Sequence, residues 1–342
     1  MVQARHIVVI RLSAMGDVAM AVPVIKAVLQ QHRHVHITFV SNAFLAPLFA
    51  GIERCNFYPA QTKGIHKGLK GIWKLYRELA KLNADAIADL HDVLRSAMLR
   101  KLFQLSGKKV AAIDKGRSDK KRLTVKQHKQ LKQLPATHER YAAVFATLGL
   151  PVLIHQKNLV AKKESIPQSI IRFIQQDKKL IGVAPFAQHN EKMYPLFKMK
   201  AFLLELAKRN DVQLLFFGAP DSEAGLLNEW ENEIPSSLNV AGKISFAEEL
   251  QLISNVSVMI SMDSANMHLA SIYGVPVVSI WGATHPFAGF YGWQQDENNI
   301  VQVDLHCRPC SVFGNIPCYR GDHACMNMIT TLMLLEKTGK LL

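Results

Sequence analysis

The sequence predicts an α/β protein with two parallel sheets, each covered by helices on both faces. Short β-branched runs alternate with amphipathic stretches along the chain, which is the pattern of strand–helix–strand units. A length of 342 residues suits about two domains, and 49% hydrophobic residues can fill two cores. A polar, proline-containing stretch over residues 150–165 is the predicted linker between two such alternations.

Four strands and four helices are predicted in the first half. Each strand is a short run rich in Val and Ile, and each helix has apolar residues three and four positions apart. The predicted strands are His6–Ile10, Val35–Val40, Asp85–Leu90 and Val110–Ile113. The predicted helices are Val18–Gln31, Leu69–Leu82, Val93–Leu105 and His138–Leu148.

The second half repeats this alternation and ends in a further helix. The predicted strands are Leu180–Ala184, Val212–Phe217, Val256–Ile260, Val277–Trp281 and Ile300–Val303. The predicted helices are Pro167–Gln176, Lys198–Lys208, Ser222–Trp230, Ser245–Ser254, Ala265–Tyr273 and Met326–Leu341. Ser245 and Glu248 have capping-box spacing, which marks the start of one of these helices.

The positive charge lies in the first half. Residues 1–150 contain 25 Lys and Arg against 9 Asp and Glu, whereas the remainder contains 16 against 18. This asymmetry favours an acidic or membrane-surface partner for the first half, although a basic surface can also serve solubility alone. No apolar run reaches the roughly 18 residues of a membrane span, and the N-terminus lacks a signal-peptide layout, so we expect a cytoplasmic protein.

Two successive turns in the second half have the character of a ligand site. A strand ends at Asp263-Ser264, which can cap the next helix, and that helix contains His268. The following strand leads into Gly282-Ala283-Thr284. Because the carboxyl ends of parallel strands form the ligand-binding edge of α/β sheets, this pair of turns suits a nucleotide-linked substrate. The alternative is structural, with Asp263 as an N-cap and His268 as a core residue.

The turn after the first strand is a second candidate site. It reads Arg11-Leu-Ser-Ala-Met-Gly-Asp17 and lacks the G-x-G-x-x-G fingerprint, which argues against a dinucleotide oxidoreductase. Gly16 is expected to permit a tight turn, and the helix that follows can attract an anion. Asp17 is either a plain N-cap or a general base that faces an interdomain cleft.

Together these two segments resemble glycosyltransferase family 9, the ADP-heptose:lipopolysaccharide heptosyltransferases. The N-terminal hallmark, R-x-S-x-x-G-D before a helix with an early proline, is matched by Arg11, Ser13, Gly16, Asp17 and Pro23. The C-terminal hallmark, D-[ST]-G-x-x-H-[LI]-A and then G-x-T-x-P, is matched by residues 263–270 and 282–286. The chain departs from it at Ala265, where the family usually has glycine.

The resemblance implies a GT-B fold, with two Rossmann-like domains facing across a cleft and a final helix that crosses back to the first. It implies an acceptor domain at 1–155, a donor domain at 166–325, and a C-terminal helix at 326–342 packed on the first domain. The implied reaction is an inverting, metal-independent transfer of heptose from ADP-heptose to a Kdo–lipid A type acceptor. Asp17 would be the catalytic base, and the enzyme would sit at the inner face of the cytoplasmic membrane.

The resemblance also implies the donor-binding residues. Lys192 precedes an aromatic–proline pair, as in the family's loop, and would contact the diphosphate; otherwise it is a solvated loop lysine. Ile244 would pack on adenine and Glu223 would reach the ribose, although core packing and a helix-start carboxylate are equally open. The remaining donor residues are Met262, Asp263, Ser264, Ala265, His268, Gly282 and Thr284.

On the acceptor side, residues 89–96 resemble the family's D-x-[QH]-x-x-x-[RK]-S turn, in which Arg95 would hold a carboxylate or phosphate. A basic segment at 115–132 is either a lid over an anionic lipid or a solvated, mobile face. The predicted acceptor-binding residues are Ser13, Gly16, Arg95, Lys115, Arg117, Lys120, Lys121 and Arg122.

Four of the five cysteines cluster near the C-terminus. Cys307, Cys310, Cys318 and Cys325 form a C-x2-C-x7-C-x6-C series with the character of a structural zinc site. Disulfides and free thiols are the alternatives, since the second pair lacks the usual short spacing. None of these interpretations makes the cysteines catalytic.

Two other functions remain open from the sequence. The chain could be a transferase of the same fold that uses another nucleotide-sugar, or a nucleotide- or nucleic-acid-binding module without catalysis. We expect no nucleic-acid partner, because the sequence contains no zinc-finger or aromatic RNA-binding pattern.

Overall fold

The computed structural model describes residues 5–342 and divides into two compact units. The first unit runs to Gly116 and resumes at Pro135–Val160, and the second combines Arg117–Leu134 with Ala161–Leu342. Residues 117–132 of the basic segment thus group with the second unit, whereas we expected the whole segment in a first domain at 1–155.

The first unit contains a five-stranded parallel sheet. Its strands are β1 (Arg5–Ile10), β2 (Val35–Ser41), β3 (Cys55–Pro59), β4 (Ala86–Asp89) and β5 (Lys109–Ala112). Their order is β3-β2-β1-β4-β5, with Ile7 of β1 beside Ile37 and Ala86. The chain order reverses between β1 and β4, so the segments that follow these two strands diverge there and leave room for a site.

Five helices lie within residues 5–160. They are α1 (Met15–Gln31), α2 (Gly68–Ala80), α3 (Leu94–Leu105), α4 (Arg117–Thr124) and α5 (Thr137–Thr147). Helices α2 and α3 bury Leu75, Leu79 and Phe103 in a core cluster with Val8 and Ile87 of the sheet. Helix α1 is buried along most of its length and packs against α5. The first sheet is therefore covered by helices, as the alternation predicts.

The second unit contains a six-stranded parallel sheet. Its strands are β6 (Lys179–Ala184), β7 (Val212–Phe216), β8 (Ser237–Asn239), β9 (Val258–Met262), β10 (Val277–Ile280) and β11 (Ile300–Val301). The order is β11-β10-β9-β6-β7-β8, so the chain order reverses between β9 and β6. The strands β6, β7, β9 and β10 are almost wholly buried, which explains their continuous apolar runs.

Besides α4, the second unit contains six helices within residues 161–342. They are α6 (Leu196–Leu206), α7 (Ala224–Glu233), α8 (Phe246–Ile253), α9 (Ala265–Ile272), α10 (Ala324–Asn327) and α11 (Thr331–Gly339). The predicted capping box is confirmed at α8, where Ser245 Oγ accepts from Glu248 N–H at 3.3 Å.

Helix α11 packs on α6 within this unit, while the predicted packing of residues 326–342 on the first domain stays a prediction. No helix within residues 5–342 is long and apolar enough to cross a bilayer.

Several local predictions differ from the structure. The single helix predicted at Met326–Leu341 is wrong, because the chain forms two helices there, α10 and α11. The helix predicted at Pro167–Gln176 is wrong, because this stretch forms only a 3-10 turn at Ile171–Phe173. Strands β3 and β8 were not predicted, since both are short and β3 is only half-buried. The basic segment at 115–132 contains a helix, α4, which we did not predict and in which Lys120 and Leu123 are buried.

Candidate functional site

The turn between β1 and α1 places Asp17 in the first turn of a helix. Residue Ala14 is the N-cap and Asp17 is the third helical residue, so Asp17 is not the N-cap that we considered. Its Oδ2 accepts a hydrogen bond from the Ala14 N–H at 3.4 Å. Gly16 lies inside the helix, so the tight turn expected of it is wrong; the chain turns over residues 11–14.

Arg11 holds the Asp17 carboxylate. Arg11 is 6% exposed, and its guanidinium pairs through Nη2 with Asp17 Oδ2. Its Nη1 donates to the carbonyl of Leu90 at 2.9 Å, and the buried Tyr141 hydroxyl donates to the Asp17 carbonyl at 3.3 Å. We predicted no role for Arg11 from the sequence. The signal that could have indicated one is its position directly after β1 and six residues before Asp17.

The segment after β4 is fixed by a buried carboxylate. Asp89 accepts from the N–H groups of His91 and Asp92, both at 2.9 Å, and from Arg100 Nη1 at 2.7 Å. Burial, together with the charges of Arg11 and Lys115, lowers the pKa of His91 to about 3. His91 Nδ1 is buried and has no hydrogen-bond partner among the described residues. The neutral imidazole of His91 thus offers a polar atom to a ligand, and we did not predict this from the sequence.

The predicted acceptor residues of the first unit lie in the segments after β1, β4 and β5. Arg95 is half-buried in the first turn of α3, and its charge also lowers the pKa of His91. Lys115 Nζ donates to the carbonyl of Asp92 at 3.1 Å. Ser13 is exposed just before α1. Since β1, β4 and β5 are neighbours in a parallel sheet, these residues lie at its carboxyl edge.

The four predicted acceptor residues of α4 belong to the second unit. Lys120 is 7% exposed, and its ammonium lies 4.1 Å from the centre of the Phe290 ring. Arg122 pairs with Asp119 at 3.5 Å, while Arg117 and Lys121 are exposed. The structure thus does not group α4 with Arg95, and the acceptor role of α4 stays a prediction.

In the second unit, an ion pair bridges the point where the strand order reverses. Lys192 follows β6 and Asp263 follows β9, and their Nζ and Oδ2 atoms are 3.1 Å apart. The two side chains are 14% and 7% exposed. The lysine stem packs directly on the backbone of Gly314, where a Cβ would lie only 2.4 Å from Lys192 Cγ. The cation is therefore held at the ligand-binding edge of the sheet.

The first turn of α9 has no side-chain cap. Ser264 is the N-cap residue, but its Oγ bonds with Ser261 Oγ at 3.0 Å and makes no capping bond. The prediction that Asp263-Ser264 caps the helix through its side chains is thus wrong, since Asp263 pairs with Lys192. The first-turn N–H groups, beginning at Ala265, carry the partial positive charge that attracts anions. His268 is buried in the same helix.

The turn after β10 adds a buried hydroxyl next to these groups. Thr284 is fully buried, and its Oγ1 has no hydrogen-bond partner among the described residues. Arg308 fixes the turn by donating to the carbonyls of Gly282 at 2.5 Å and Thr284 at 3.0 Å. A Cβ at Gly282 would lie 2.7 Å from Met326 Cγ, so a larger residue there would displace the methionine side chain.

Three other predicted donor residues have structural contacts. Met262 is fully buried in the core, and its Sδ accepts from Tyr194 N–H at 3.4 Å. Glu223 accepts from Ala219 N–H at 2.7 Å, and burial raises its pKa. Ile244 is half-buried in the turn before α8. All three lie at or beyond the carboxyl ends of β9, β7 and β8, and their donor roles stay predictions.

The prediction of a cysteine zinc site is not supported. Within residues 5–342, no three His, Cys, Asp or Glu side chains come close enough to hold a metal ion, and all five cysteines are free thiols. Burial raises the pKa of Cys325 to about 11, so this thiol is protonated near neutral pH. Lys129 also lies beside this segment, where its Nζ donates to the carbonyl of Cys307 at 2.8 Å.

The architecture matches that of solved glycosyltransferase structures. A family 9 glycosyltransferase from Veillonella parvula aligns with a TM-score of 0.76 and 17% identity, covering 100% of this chain and 98% of that one. ADP-heptose LPS heptosyltransferase II of E. coli aligns with a TM-score of 0.70 and 18% identity, covering 98% of both chains. The two parallel-sheet units are therefore those of the GT-B fold.

The sequence comparison gives the family. Residues 72–316 match the model of glycosyltransferase family 9 (heptosyltransferase), and the chain belongs to this family. Lipooligosaccharide heptosyltransferase 2 of Campylobacter jejuni is 24% identical over 96% of both chains. The lipopolysaccharide core heptosyltransferase OpsX of Haemophilus influenzae is 22% identical over 82% of this chain and 80% of its own. This protein is a glycosyltransferase, as the sequence predicted.

Proposed function

We propose that the protein transfers heptose from ADP-heptose to a lipopolysaccharide inner-core acceptor of the Kdo–lipid A type. The observation that carries this proposal is the Lys192–Asp263 ion pair beside the uncapped first turn of α9. The ion pair supplies a fixed cation, and the first turn of α9 supplies N–H groups without a side-chain cap. Both lie at one edge of the sheet, which suits a diphosphate. The names of the family and of its relatives support heptose as the sugar.

The second unit would bind the donor. Lys192 would contact the diphosphate, and the first-turn N–H groups of α9 would donate hydrogen bonds to its oxygens as the leaving group departs. The buried hydroxyl of Thr284 would offer one more hydrogen bond. Asp263 would keep the ammonium in place between turnovers. With these groups the nucleoside diphosphate can leave without a metal ion in the reaction that we propose.

The first unit would supply the base. Asp17 would remove the proton of the acceptor hydroxyl while its oxygen bonds to the anomeric carbon of heptose. At the same time the bond from that carbon to the donor phosphate breaks, and attack from the opposite face inverts the configuration. Arg11 would orient the carboxylate, since the buried guanidinium is itself fixed on the carbonyl of Leu90.

The acceptor would be met at the inner face of the cytoplasmic membrane, with the protein in the cytoplasm as a peripheral enzyme. The excess of 25 basic over 9 acidic residues in 1–150 supports this, because a Kdo–lipid A acceptor carries phosphates and carboxylates. Arg95 and Lys115 would be its first contacts in the first unit. No nucleic-acid partner is expected.

A thermal-shift panel with ADP, UDP, GDP, CDP and ADP-heptose, without added metal, tests the donor. The proposal predicts stabilisation by ADP and a larger stabilisation by ADP-heptose, because a ligand that binds only the folded state raises Tm. A preference for another nucleotide would keep the fold and replace the donor by another nucleotide-sugar. The absence of any shift, confirmed by calorimetric titration, would leave the nucleic-acid-binding alternative to be tested.

A further inference from the structure

Helix α2 and the turn before it expose a row of large apolar side chains. Ile65, Leu69 and Trp73 are spaced four residues apart and are 50%, 70% and 52% exposed. Side chains four apart lie on the same face of a helix, so Leu69 and Trp73 form one apolar stripe. Large apolar side chains grouped on a surface mark an interaction site more often than single ones do.

A stripe of basic residues lies next to the apolar one. Lys70, Lys74, Arg77 and Lys81 follow one another at intervals of four, three and four, and all are exposed. Residues 61–83 contain six Lys and Arg against a single acidic residue, Glu78. Glu78 accepts from Tyr58 Oη at 2.6 Å and bonds with His66 Nε2 at 2.8 Å, so its charge is held within the unit. The outer face of α2 is therefore strongly positive.

The fold holds this face rigidly towards solvent. The opposite face of α2 buries Ile72, Leu75 and Leu79 in the core of the first unit. Gly71 lets the preceding turn lie directly on the helix, because a Cβ there would be 2.2 Å from the backbone of His66. The helix cannot turn its apolar stripe inwards without losing this packing.

Trp73 is held in its exposed position by other aromatic rings. Its ring centre is 5.3 Å from that of Tyr76, which in turn contacts Phe103 of α3 at 4.9 Å. An indole supported in this way keeps its apolar body outside and has an N–H group for a polar boundary. Tryptophan is enriched where hydrocarbon meets headgroups for this reason.

We propose that this face of α2, together with the flanking residues of the segment 65–81, docks on the surface of an anionic phospholipid bilayer. The apolar stripe would enter the headgroup boundary while the basic stripe beside it contacts lipid phosphates. A convex helix with these two adjacent stripes fits a flat, negatively charged surface. The inference rests on the proposed function only in that a lipid-linked acceptor requires the enzyme to work at a membrane.

Vesicle flotation without nucleotide or lipopolysaccharide tests this surface. The protein should float with vesicles of phosphatidylcholine and phosphatidylglycerol, but not with phosphatidylcholine alone, and high salt should release it because it screens exposed charges. The pair L69S/W73S and the pair K70E/K74E should each lower the bound fraction by about tenfold or more, since each removes one of the two stripes.

Matched substitutions in the second unit serve as controls. Phe197 is 72% exposed on α6, and Lys162 and Lys163 are exposed neighbours, so F197S and K162E/K163E change similar chemistry elsewhere. They should leave vesicle binding unchanged. Equal loss in the control variants, or undiminished binding of both α2 variants, would overturn the proposal. So would sedimentation showing that the stripe instead joins two copies of the chain.

Trp73 also provides a direct optical readout. The other tryptophans, Trp230, Trp281 and Trp293, are at most 2% exposed, so a vesicle-induced blue shift reports on Trp73. Lipids brominated near the headgroup should quench it, and W73F should abolish the shift while binding persists. Binding without any shift or quenching would place the contact elsewhere.

This test is separable from the proposed function. If vesicle binding fails while ADP-heptose still raises Tm, only the surface assignment is lost. If vesicle binding holds while no nucleotide stabilises the protein, the docking surface stands and the donor assignment falls.

Discussion

The candidate sites of the two units lie at the same position in their sheets, but the side chains that they present carry opposite charges. In each, the candidate site follows the strands between which the sheet reverses its order. In the first unit a buried arginine, Arg11, holds a carboxylate that is 28% exposed, Asp17. In the second unit a buried carboxylate, Asp263, holds a lysine that is 14% exposed, Lys192. In each pair the more buried partner positions the other, so the less buried partner is the one that can meet a ligand.

This difference indicates a division of work. A positioned carboxylate can accept a proton, whereas a positioned ammonium can bind phosphate. Rate should therefore depend mainly on the first unit and donor affinity mainly on the second. The following variants test this division, beginning with the largest expected effect.

Asp17→Asn should lower the rate of transfer by about 10²- to 10⁴-fold, since an amide cannot accept the acceptor's proton. Initial rates with ADP-heptose and a Kdo–lipid A type acceptor measure this. Asp119→Asn, which removes a carboxylate paired with the exposed Arg122, is the control and should keep the wild-type rate. A fully active Asp17→Asn enzyme would show that Asp17 is not the catalytic base.

Arg11→Met should lower kcat by about 10- to 100-fold, because the carboxylate loses the group that orients it. The KM for the donor should stay near that of the wild type. Arg11→Lys should recover part of the rate, since an ammonium restores the charge but cannot reproduce the planar guanidinium that contacts both Asp17 and the Leu90 carbonyl. If Arg11→Met raises the donor KM instead of lowering kcat, Arg11 belongs to donor binding.

Gly314→Ala should weaken ADP binding by about three- to tenfold, because the new Cβ would lie 2.4 Å from the stem of Lys192 and displace it. Gly321→Ala is a matched control: its φ of +75° equals the +76° of Gly314 within a degree, but a Cβ there has open space. Both variants carry the same backbone strain, and only the first should lose affinity in calorimetric titration. Equal affinities would separate Lys192 from the donor.

The smallest expected effect concerns His91 and pH. Its pKa in the folded protein is lowered to about 3 from an ordinary value of 6.5. Between these values the unfolded chain binds a proton that the folded protein does not, so His91 makes stability fall as pH falls through this window. Urea unfolding at about pH 7 and about pH 5 should show a smaller loss for His91→Asn than for the wild type. Substituting the exposed His306 should leave the loss unchanged.

Most of the sheet strands could be predicted because buried parallel strands have continuous apolar runs, as in Val277–Ile280. Strand β3 could not, since its alternation of half-buried and exposed residues is weak over five positions. Helix α4 is too polar to be predicted as a helix from the sequence. In the structure, its Lys120 ammonium lies over the ring of Phe290.

The site residues could be proposed singly but not as pairs. Lys192 and Asp263 are separated by 71 positions (263 minus 192), and only the order of β6 and β9 in the sheet brings them together. Arg11 is near Asp17 in sequence, yet its burial and its bond to the Leu90 carbonyl depend on β4, which comes 75 residues later. These contacts arise from sheet topology, which local patterns do not specify.

The most direct test of the division of work is the donor affinity of Lys192→Ala and Asp17→Asn, measured side by side by calorimetric titration with ADP-heptose. Our account predicts that Lys192→Ala binds the donor about 10- to 100-fold more weakly, since it loses a charge-assisted contact. It also predicts that Asp17→Asn binds the donor like the wild type. Normal affinity in Lys192→Ala, or a comparable loss in Asp17→Asn, would contradict it.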